Sequence, residues 1–237
     1  MPTDDNIEQA PVFAVSRLRT STDGRGITTL VAFMGCPLKC RYCLNDVCHE
    51  PIYGDDGKLL HKNVMMLTPQ KLYDMVKLDN IYFQVTGGGI CFGGGEPTLY
   101  SGFIEEFRNI CGKKWQITLE TSLACSFSTI KRLSKVVDHW IVDVKSLETS
   151  IYKQYTGKRS AVMQHLKSLK NNVKPEQVTV KLPVIAGFND ERDLESDKET
   201  IRRHFGFTDI VMTRYIIPYK LNQSKNNETR KRKMRNT

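Results

Sequence analysis

Short apolar runs alternate with longer segments of helical periodicity along most of this 237-residue chain. The apolar runs predict six buried strands, at 28–34, 89–92, 115–119, 140–144, 178–185 and 209–217. Strands that alternate with helices are typical of βα units around a parallel sheet. Residues 12–18 predict an antiparallel strand ahead of the first unit. Six units predict an incomplete (β/α)6 barrel, and a doubly wound open sheet is the alternative.

Helices are expected between these strands, at 101–110, 129–137, 162–169 and 193–204. Thr68-Pro69 predicts one more helix start, since a hydroxyl cap is followed by proline in the first turn. The unusual residues of the chain fall at or just past the ends of strands. In parallel α/β folds, sites assemble on the loops at that edge, so a catalytic edge is predicted under either topology.

Length and charge favour one domain with a basic tail. Residues 1–221 are expected to form the domain, and 222–237 is polar and aperiodic, which predicts disorder. The net charge is +9, but residues 225–237 hold six basic residues and one acid and so account for +5 of it. The remaining +4 is spread over 224 residues without a basic, aromatic-interleaved surface, so no nucleic-acid partner is expected.

Cysteine usage points to a reducing compartment. Seven cysteines in 237 residues are odd in number and sparse, which argues against a disulfide framework. The first nine residues lack the apolar core of a secretory signal, and nothing approaches the roughly 20 apolar residues of a membrane span. We therefore expect a cytoplasmic protein with no membrane association. A monomer is the expected oligomeric state, without a sequence feature that determines it.

Three cysteines, Cys36, Cys40 and Cys43, follow the first predicted strand with the spacing C-x3-C-x2-C. Three thiolates this close can hold three irons of a 4Fe–4S cluster, which normally takes four cysteine ligands. An iron without a protein ligand is open to a substrate or cofactor. The spacing therefore predicts a cluster that does chemistry.

Structural zinc is the alternative for this segment, because Cys48-His49 lies close enough to supply further ligands. Zinc sites usually pair two short ligand hairpins, and no second pair follows here. Cys48 and His49 are predicted to be ordinary loop residues. The remaining cysteines lie in apolar stretches and are predicted to pack in the core: Cys91, Cys111 and Cys125.

Two glycine triplets flank the second predicted strand, at 87–89 and 93–95, and Glu96 follows the second triplet. Glycine in a strand often marks close approach of a ligand to the backbone, and a carboxylate there can receive an ammonium group. Two tight turns with Glu96 in solvent are the alternative, since short glycine motifs often arise without function.

Taken together, these motifs resemble the radical S-adenosylmethionine (SAM) enzymes, and within them the activating enzymes of glycyl radical enzymes, such as the pyruvate formate-lyase activating group. The resemblance covers about 12–219. It rests on the segment 21–27 before the first strand, the cysteine loop with Tyr42, the G-G-G-x4-G-G-E run of 87–96, Asp143-Val144-Lys145 and the closing segment 216–219.

The resemblance implies roles for most of these residues. Cys36, Cys40 and Cys43 would hold the cluster, and SAM would chelate its open iron. The remaining roles concern SAM and the substrate: Gly94, Gly95 and Glu96 would bind the SAM ammonium, Lys145 its carboxylate, Glu120 and Asp143 the ribose or a monovalent cation beside it, and Tyr42 the adenine, with Asp23 near the incoming peptide.

The same resemblance implies the reaction. One electron from a flavodoxin or ferredoxin would cleave SAM to methionine and a 5′-deoxyadenosyl radical. That radical would remove hydrogen from a backbone glycine of a partner glycyl radical enzyme. Asp23 and Lys145 are the residues predicted to act closest to this chemistry.

Four of these residues also have purely structural interpretations. Lys145 is also explained as a solvated residue after a strand, and Asp143 as a helix cap. Tyr42 is also explained as a packing residue, and Asp23, before Gly24, as part of a turn.

The chain departs from the family pattern at three positions. Glu120 stands where the family often has aspartate, and Lys220 where the activating group carries histidine. Pro97 is commoner in radical SAM enzymes at large. No insertion with further cysteine clusters lies between Cys43 and Gly87, which indicates a compact, single-cluster protein.

Two other functions remain open from sequence. One is a compact radical SAM enzyme acting on a small molecule, resembling the 7-carboxy-7-deazaguanine synthases, or on a peptide. The other is a zinc or iron–sulfur scaffold without SAM chemistry, in which the opposite charges of Glu96 and Lys145 would have no use.

Overall fold

The computed structural model describes residues 9–20, 22–59, 61–185 and 187–214. These residues form one eight-stranded sheet in the order β3-β1-β2-β4-β5-β6-β7-β8. The strands are β1 (Ala10–Thr20), β2 (Ile27–Phe33), β3 (Met65–Leu67), β4 (Gly89–Gly94), β5 (Gln116–Thr121), β6 (His139–Asp143), β7 (Val178–Val184) and β8 (Asp209–Arg214).

Six strands of this sheet, β2 and β4 to β8, run parallel to one another, and β1 pairs antiparallel with β2 and β3. Within the described residues the sheet is open, with β3 and β8 at its edges. The predicted incomplete (β/α)6 barrel with an antiparallel lead-in strand is therefore confirmed.

In the described part of the chain, seven α-helices connect the strands: α1 (Pro69–Val76), α2 (Asn80–Thr86), α3 (Ser101–Cys111), α4 (Phe127–Leu133), α5 (Thr149–Thr156), α6 (Val162–Lys170) and α7 (Glu191–Phe205). The predicted start at Thr68-Pro69 is confirmed, because the Thr68 hydroxyl accepts a hydrogen bond from the backbone N–H of Lys71. The sequence did not predict α2, α5 or the three-residue strand β3. On α2 the apolar residues Ile81 and Val85 face outward, 63% and 77% exposed, so the helix lacks a buried stripe that periodicity could detect.

The two faces of the sheet have different chemistry because side chains alternate along each strand. One face packs against the helices and is wholly apolar across five register-matched positions: Val31, Phe92, Leu119, Trp140 and Val178. Phe92 contacts Phe107 of α3 edge to face, with ring centroids 5.5 Å apart. The opposite face carries polar and charged residues at the alternate positions: Cys91, Thr118, Glu120, Asp143 and Lys181.

Several predicted features lie outside the described residues: Ser21, the end of the sixth βα-unit strand beyond Arg214, the closing segment 216–219, Lys220 and the tail 222–237. Among the helices that the structure describes, none combines the length and apolarity needed to cross a bilayer.

Candidate functional site

A cavity of about 360 Å³ opens at the carboxyl edge of the parallel strands. Its walls come from the loops after β2, β4, β5 and β6 and from the end of β7. All the residues predicted to bind a cluster or SAM line it, and they do so together: Cys36, Cys40, Tyr42, Cys43, Gly94, Gly95, Glu96, Glu120, Asp143 and Lys145. The predicted catalytic edge is thus a single concave site.

The cysteine loop leaves β2 at Gly35 and is held by backbone hydrogen bonds. Gly35 N–H donates to the carbonyl of Cys48 at 2.8 Å. The amides of Lys39 and Arg41 donate to the carbonyls of Thr156 and Tyr155 at the end of α5, both at 3.0 Å. The loop is therefore fixed at both ends and in the middle, which orients its three thiols toward the cavity.

Burial raises the pKa of all three thiols, but hydrogen bonding outweighs it at Cys43. The pKa of Cys36 is raised to about 12 and that of Cys40 to about 11. The pKa of Cys43 is lowered to about 6, chiefly because the side chain of Cys48 hydrogen-bonds its sulfur. Because thiolates are the metal-binding form, loading metal onto this loop must release protons from Cys36 and Cys40.

Cys48 and His49 lie closer to this loop than an ordinary loop position implies. Cys48 is buried, 2% exposed, and lines the same cavity. The ligand atoms of Cys43, Cys48 and His49 all lie within 4.8 Å of one another. These three residues are the ones that a structural zinc ion would use. Structural zinc takes four ligands, however, and this set holds three among the residues described.

The second glycine triplet crosses directly over the end of β2. Gly94 has a φ of +90°, and a Cβ on Gly95 would lie 2.1 Å from the carbonyl oxygen of Gly35. The amides of Gly95 and Glu96 donate to the carbonyls of Phe33 and Gly35 at 2.9 and 2.8 Å. Gly94 and Gly95 are thus required by close contact with β2 and with the start of the cysteine loop. That contact brings the Glu96 segment beside the cysteines.

The first glycine triplet lies at the amino ends of the parallel strands, where β4 begins and on the side away from the cavity. Gly87 ends α2 in the left-handed conformation, with a φ of +68°. A Cβ on Gly88 would lie 1.9 Å from the carbonyl oxygen of Ile27. For this triplet the interpretation as a tight turn is the one that fits.

The Glu96 carboxylate is almost completely buried, at 1% exposure, and accepts five hydrogen bonds. One oxygen accepts from the amide and hydroxyl of Thr98 and from the hydroxyl of Thr121, at 3.2, 2.7 and 2.6 Å. The other accepts from the amide and hydroxyl of Ser122 at 3.0 and 2.6 Å. Glu96 is therefore not in solvent, and its carboxylate ties the end of β4 to the end of β5.

Two ion pairs join charged side chains of β5, β6, β7 and the loop after β6. Lys181 Nζ donates to Glu120 Oε1 at 2.6 Å, and Lys145 Nζ donates to Asp143 Oδ2. Burial would lower the pKa of Lys145, but Asp143 and Cys40 raise it more, so the amine stays charged. Asp143 Oδ1 is buried and has no hydrogen-bond partner among the described residues.

Aromatic rings close one side of the cavity. Tyr42 lies 6.4 Å from Tyr155 and 5.6 Å from Phe188, measured between ring centroids. Lys145 Nζ lies 5.9 Å from the centroid of the Tyr155 ring. Tyr42 thus packs against other rings and also lines the cavity. Its position is compatible with a packing role and with a binding role.

Asp23 is the one predicted site residue that is not among those lining the cavity. It is buried, 4% exposed, and pairs with Arg19. The neighbouring Gly24 lies against Thr118, two residues before Glu120 on the polar face of β5. Asp23 therefore lies against the polar face of the sheet, on the amino side of the cavity.

Sequence reasoning missed several residues that complete the site: Asn45, Thr98, Thr121, Ser122, Tyr155 and Lys181. Thr121 and Ser122 end β5, so the strand-end rule that selected Glu120 applies to them as well. Lys181 is a lysine within an apolar strand, two positions from Thr179 on the same face, and that pattern was its signal. Asn45 Nδ2 donates to the carbonyl of Gly94 at 2.9 Å, a contact between segments 49 residues apart that no local pattern reveals.

Comparison with known proteins gives one family and a consistent set of relatives. The family model described as the radical SAM superfamily matches residues 30–198. The chain is 26% identical to the (2S)-3-sulfopropanediol dehydratase activating enzyme of Klebsiella oxytoca, over 82% of this chain and 78% of that protein. It is 25% identical to the pyruvate formate-lyase-activating enzyme of Staphylococcus aureus (strain USA300), over 84% and 77%.

Solved structures support the fold. Streptococcus suis SuiB, in a complex with the precursor peptide SuiA, matches with a TM-score of 0.56 at 14% identity, over 86% of this chain and 46% of that one. Methylornithine synthase matches with a TM-score of 0.50 at 12% identity, over 80% and 53%. At these identities the likeness concerns the arrangement of the strands and helices alone.

Proposed function

The chain belongs to the radical SAM superfamily, and on that premise we propose that it is an activating enzyme, which installs a glycyl radical on a partner protein. The expected superfamily is confirmed by the family match, and the relatives named above are activating enzymes. The observation that carries the proposal is the single cavity in which Cys36, Cys40 and Cys43 meet Glu96 and Lys145.

The residues of the cavity fit a 4Fe–4S cluster and SAM. Three cysteines on one loop supply three soft ligands and leave one coordination position open, as the superfamily's chemistry requires. The buried, unpartnered Oδ1 of Asp143 is an acceptor with no protein donor, which suits a ribose hydroxyl. Glu96 and Lys145 carry opposite charges, which suit the two ends of an amino acid.

When bound, the cluster and SAM supply a one-electron cleavage whose product takes a hydrogen atom from a glycine α-carbon. The chain's own residues bind and orient. Lys145 would hold the SAM carboxylate. Glu96, with the backbone of Gly94 and Gly95, would hold the ammonium.

The saturated carboxylate of Glu96 is compatible with this role. Three of its five donors are the hydroxyls of Thr98, Thr121 and Ser122, which can rotate. The two backbone donors keep the carboxylate in place while a hydroxyl yields its position to the ammonium. Tyr42 would contact the adenine, at the side of the cavity that the rings of Tyr155 and Phe188 close.

Asp23 would act further along the polar face, toward the incoming peptide. Its carboxylate is already paired with Arg19, so in this proposal the buried Asp23 and the partly exposed Arg19 present one neutral unit. A peptide backbone can hydrogen-bond to both members of such a pair without desolvating a lone charge. A flavodoxin or ferredoxin is the proposed electron donor.

The test combines three measurements under anaerobic conditions. Reconstitution with iron and sulfide, followed by dithionite and SAM, is expected to release 5′-deoxyadenosine. Addition of a glycyl radical enzyme from the same organism is expected to give a doublet radical signal by electron paramagnetic resonance. A partner variant with alanine at the radical glycine is the matched control and should give no doublet.

Two results would overturn the proposal. Release of 5′-deoxyadenosine without a doublet on any glycyl radical protein of the organism would assign the chain to a small-molecule or peptide substrate. Absence of 5′-deoxyadenosine with a fully loaded cluster would leave only a scaffold.

A further inference from the structure

Lys181 occupies a position in the site that the family resemblance does not assign to any residue. It lies on β7 in register with Asp143 of β6, and its side chain lies on the same face as that of Glu120 of β5. All three line the cavity. The two carboxylates are the ones expected to serve a ribose or a free monovalent cation.

The contacts of these groups leave little place for a free cation at Glu120. Lys181 Nζ donates to Glu120 Oε1 at 2.6 Å, and the two side chains are 24% and 30% exposed. An ammonium group is a compact cation, and at neutral pH a lysine keeps its charge. The position against Glu120 that an alkali cation would take is therefore filled by a covalently attached one.

The charge count of the cavity edge leads to the same conclusion. Glu120 and Asp143 contribute two negative charges, and Lys145 and Lys181 contribute two positive charges, so the four groups balance. A free cation entering beside Lys181 would meet a like charge at short range in a partly buried site. The unpartnered Asp143 Oδ1 is left for a neutral hydroxyl donor.

We propose that Lys181 is the resident cation of this site, and that its ammonium group, held by Glu120, replaces a free monovalent cation in SAM binding. The inference rests on the proposed function in that it takes SAM as the ligand. It also explains why glutamate, and not aspartate, stands at position 120. The longer side chain of glutamate reaches Lys181 on β7. Lys181 is thus a positioning residue whose presence removes a cofactor requirement.

The experiment measures SAM binding by calorimetry on the reconstituted, unreduced protein. Buffers contain potassium, sodium or tetramethylammonium chloride at about 0.1 M, so that ionic strength and screening stay constant. For the unaltered protein we expect the SAM dissociation constant to differ by less than about twofold among the three salts. For Lys181→Met we expect weak binding in tetramethylammonium and recovery of about tenfold or more in potassium.

Two variants keep the result interpretable. Lys181→Arg retains a fixed positive charge and should bind SAM without an alkali requirement. Lys77→Met removes an exposed lysine paired with Asp74 at 2.8 Å and should behave like the unaltered protein. As a readout without SAM, the thermal midpoint of Lys181→Met should rise in potassium relative to tetramethylammonium, and that of the unaltered protein should not.

Potassium-dependent SAM binding in the unaltered protein would refute the inference, and so would a Lys181→Met variant that potassium does not rescue. Neither result depends on a glycyl radical partner. Failure of the partner to acquire a radical, with cation-independent SAM binding intact, would instead refute the proposed function alone.

Discussion

The amino ends and the carboxyl ends of the parallel strands form two edges of the sheet, and both contain buried charged groups. The groups at the two edges differ in how completely they are hydrogen-bonded. At the amino edge, Arg108 is 8% exposed and donates to the carbonyls of Val136 and Trp115, both at 2.9 Å, and to Asp138. At the carboxyl edge, Asp143 keeps one buried oxygen without a partner among the described residues. Buried charged groups therefore form a structural contact at one edge, where their hydrogen bonds are made within the protein, and a candidate binding site at the other, where an acceptor is left without a partner among the described residues.

The largest expected effect is at the carboxyl edge. Cys40→Ala removes one of the three proposed cluster ligands, and we expect the reconstituted iron content to fall from about four per chain toward background, with loss of 5′-deoxyadenosine formation. Iron analysis and product chromatography measure both. Cys111→Ala, a half-buried cysteine at the end of α3, is the matched control and should keep its iron. Equal iron in Cys40→Ala and Cys111→Ala would contradict the ligand assignment.

Cys48→Ala sharpens the same comparison between the two donor sets of the loop. If Cys36, Cys40 and Cys43 hold a cluster, this variant should keep about four irons per chain. Its reconstituted absorption spectrum should match that of the unaltered protein. Loss of all metal, with one zinc per chain in the unaltered protein, would favour the Cys43, Cys48 and His49 set instead.

The next effect is at the amino edge and concerns stability. Arg108→Met removes a guanidinium group that bonds to several carbonyls and to Asp138, and should lower the free energy of unfolding by about 2–4 kcal/mol. Anaerobic urea titration of the reconstituted protein measures it. SAM cleavage per folded molecule should be unchanged, since the residue lies away from the cavity. Loss of SAM cleavage in a fully folded Arg108→Met variant would contradict the interpretation that the amino edge has a structural role only.

Glu96→Gln tests the reverse case, a saturated group at the carboxyl edge. The new amide group would face donors of Thr98 or Ser122, and the negative charge would be lost, so SAM affinity should fall about tenfold, or ~1.4 kcal/mol. Calorimetry measures the change. Glu105→Gln, which breaks a partly exposed pair with Arg132, is the control and should leave affinity unaltered. Unchanged affinity in Glu96→Gln would assign Glu96 to loop attachment alone.

The smallest effect concerns pH and again the amino edge. Burial first, and then the charge of Arg25, lower the pKa of His139, while Asp209 opposes them. The folded state therefore prefers neutral His139, so this contribution to stability is complete above about pH 6.5 and is lost as pH falls toward the lowered pKa. His139→Gln should flatten the fall in unfolding free energy below pH 6.5, and urea titrations at a series of pH values measure it. Because the pKa of His165 is also lowered, some pH dependence should remain. An unaltered pH profile would show that His139 does not titrate on unfolding.

Local pattern was enough to predict the strand ends and hence the site. The cysteine loop, Glu96, Glu120 and the Asp143–Lys145 pair each follow a strand whose apolar run is visible in the sequence, and parallel pairing brings them together. The predicted placement agrees with the structure because a strand end and the residue after it are defined within a few positions of the chain, and the binding roles of these residues stay predictions.

Contacts between distant segments were not accessible in this way. The helix α5 supports the cysteine loop through the carbonyls of Tyr155 and Thr156, more than 100 residues further along the chain. The glycine motif predicts a close approach at Gly95, but it does not reveal that the carbonyl of Gly35 makes one. In both cases the partner is set by the sheet order, which periodicity does not specify.

The contact of Gly95 with Gly35 has a consequence for transplanting this chemistry into another protein. The thiol-bearing loop and the glycine turn share three backbone or amide hydrogen bonds, from Gly95, Glu96 and Asn45. A graft of either loop alone onto a foreign parallel sheet would lose its counterpart and its shape. Transfer of this site to another protein would therefore require both loops together, with the strand ends from which they emerge.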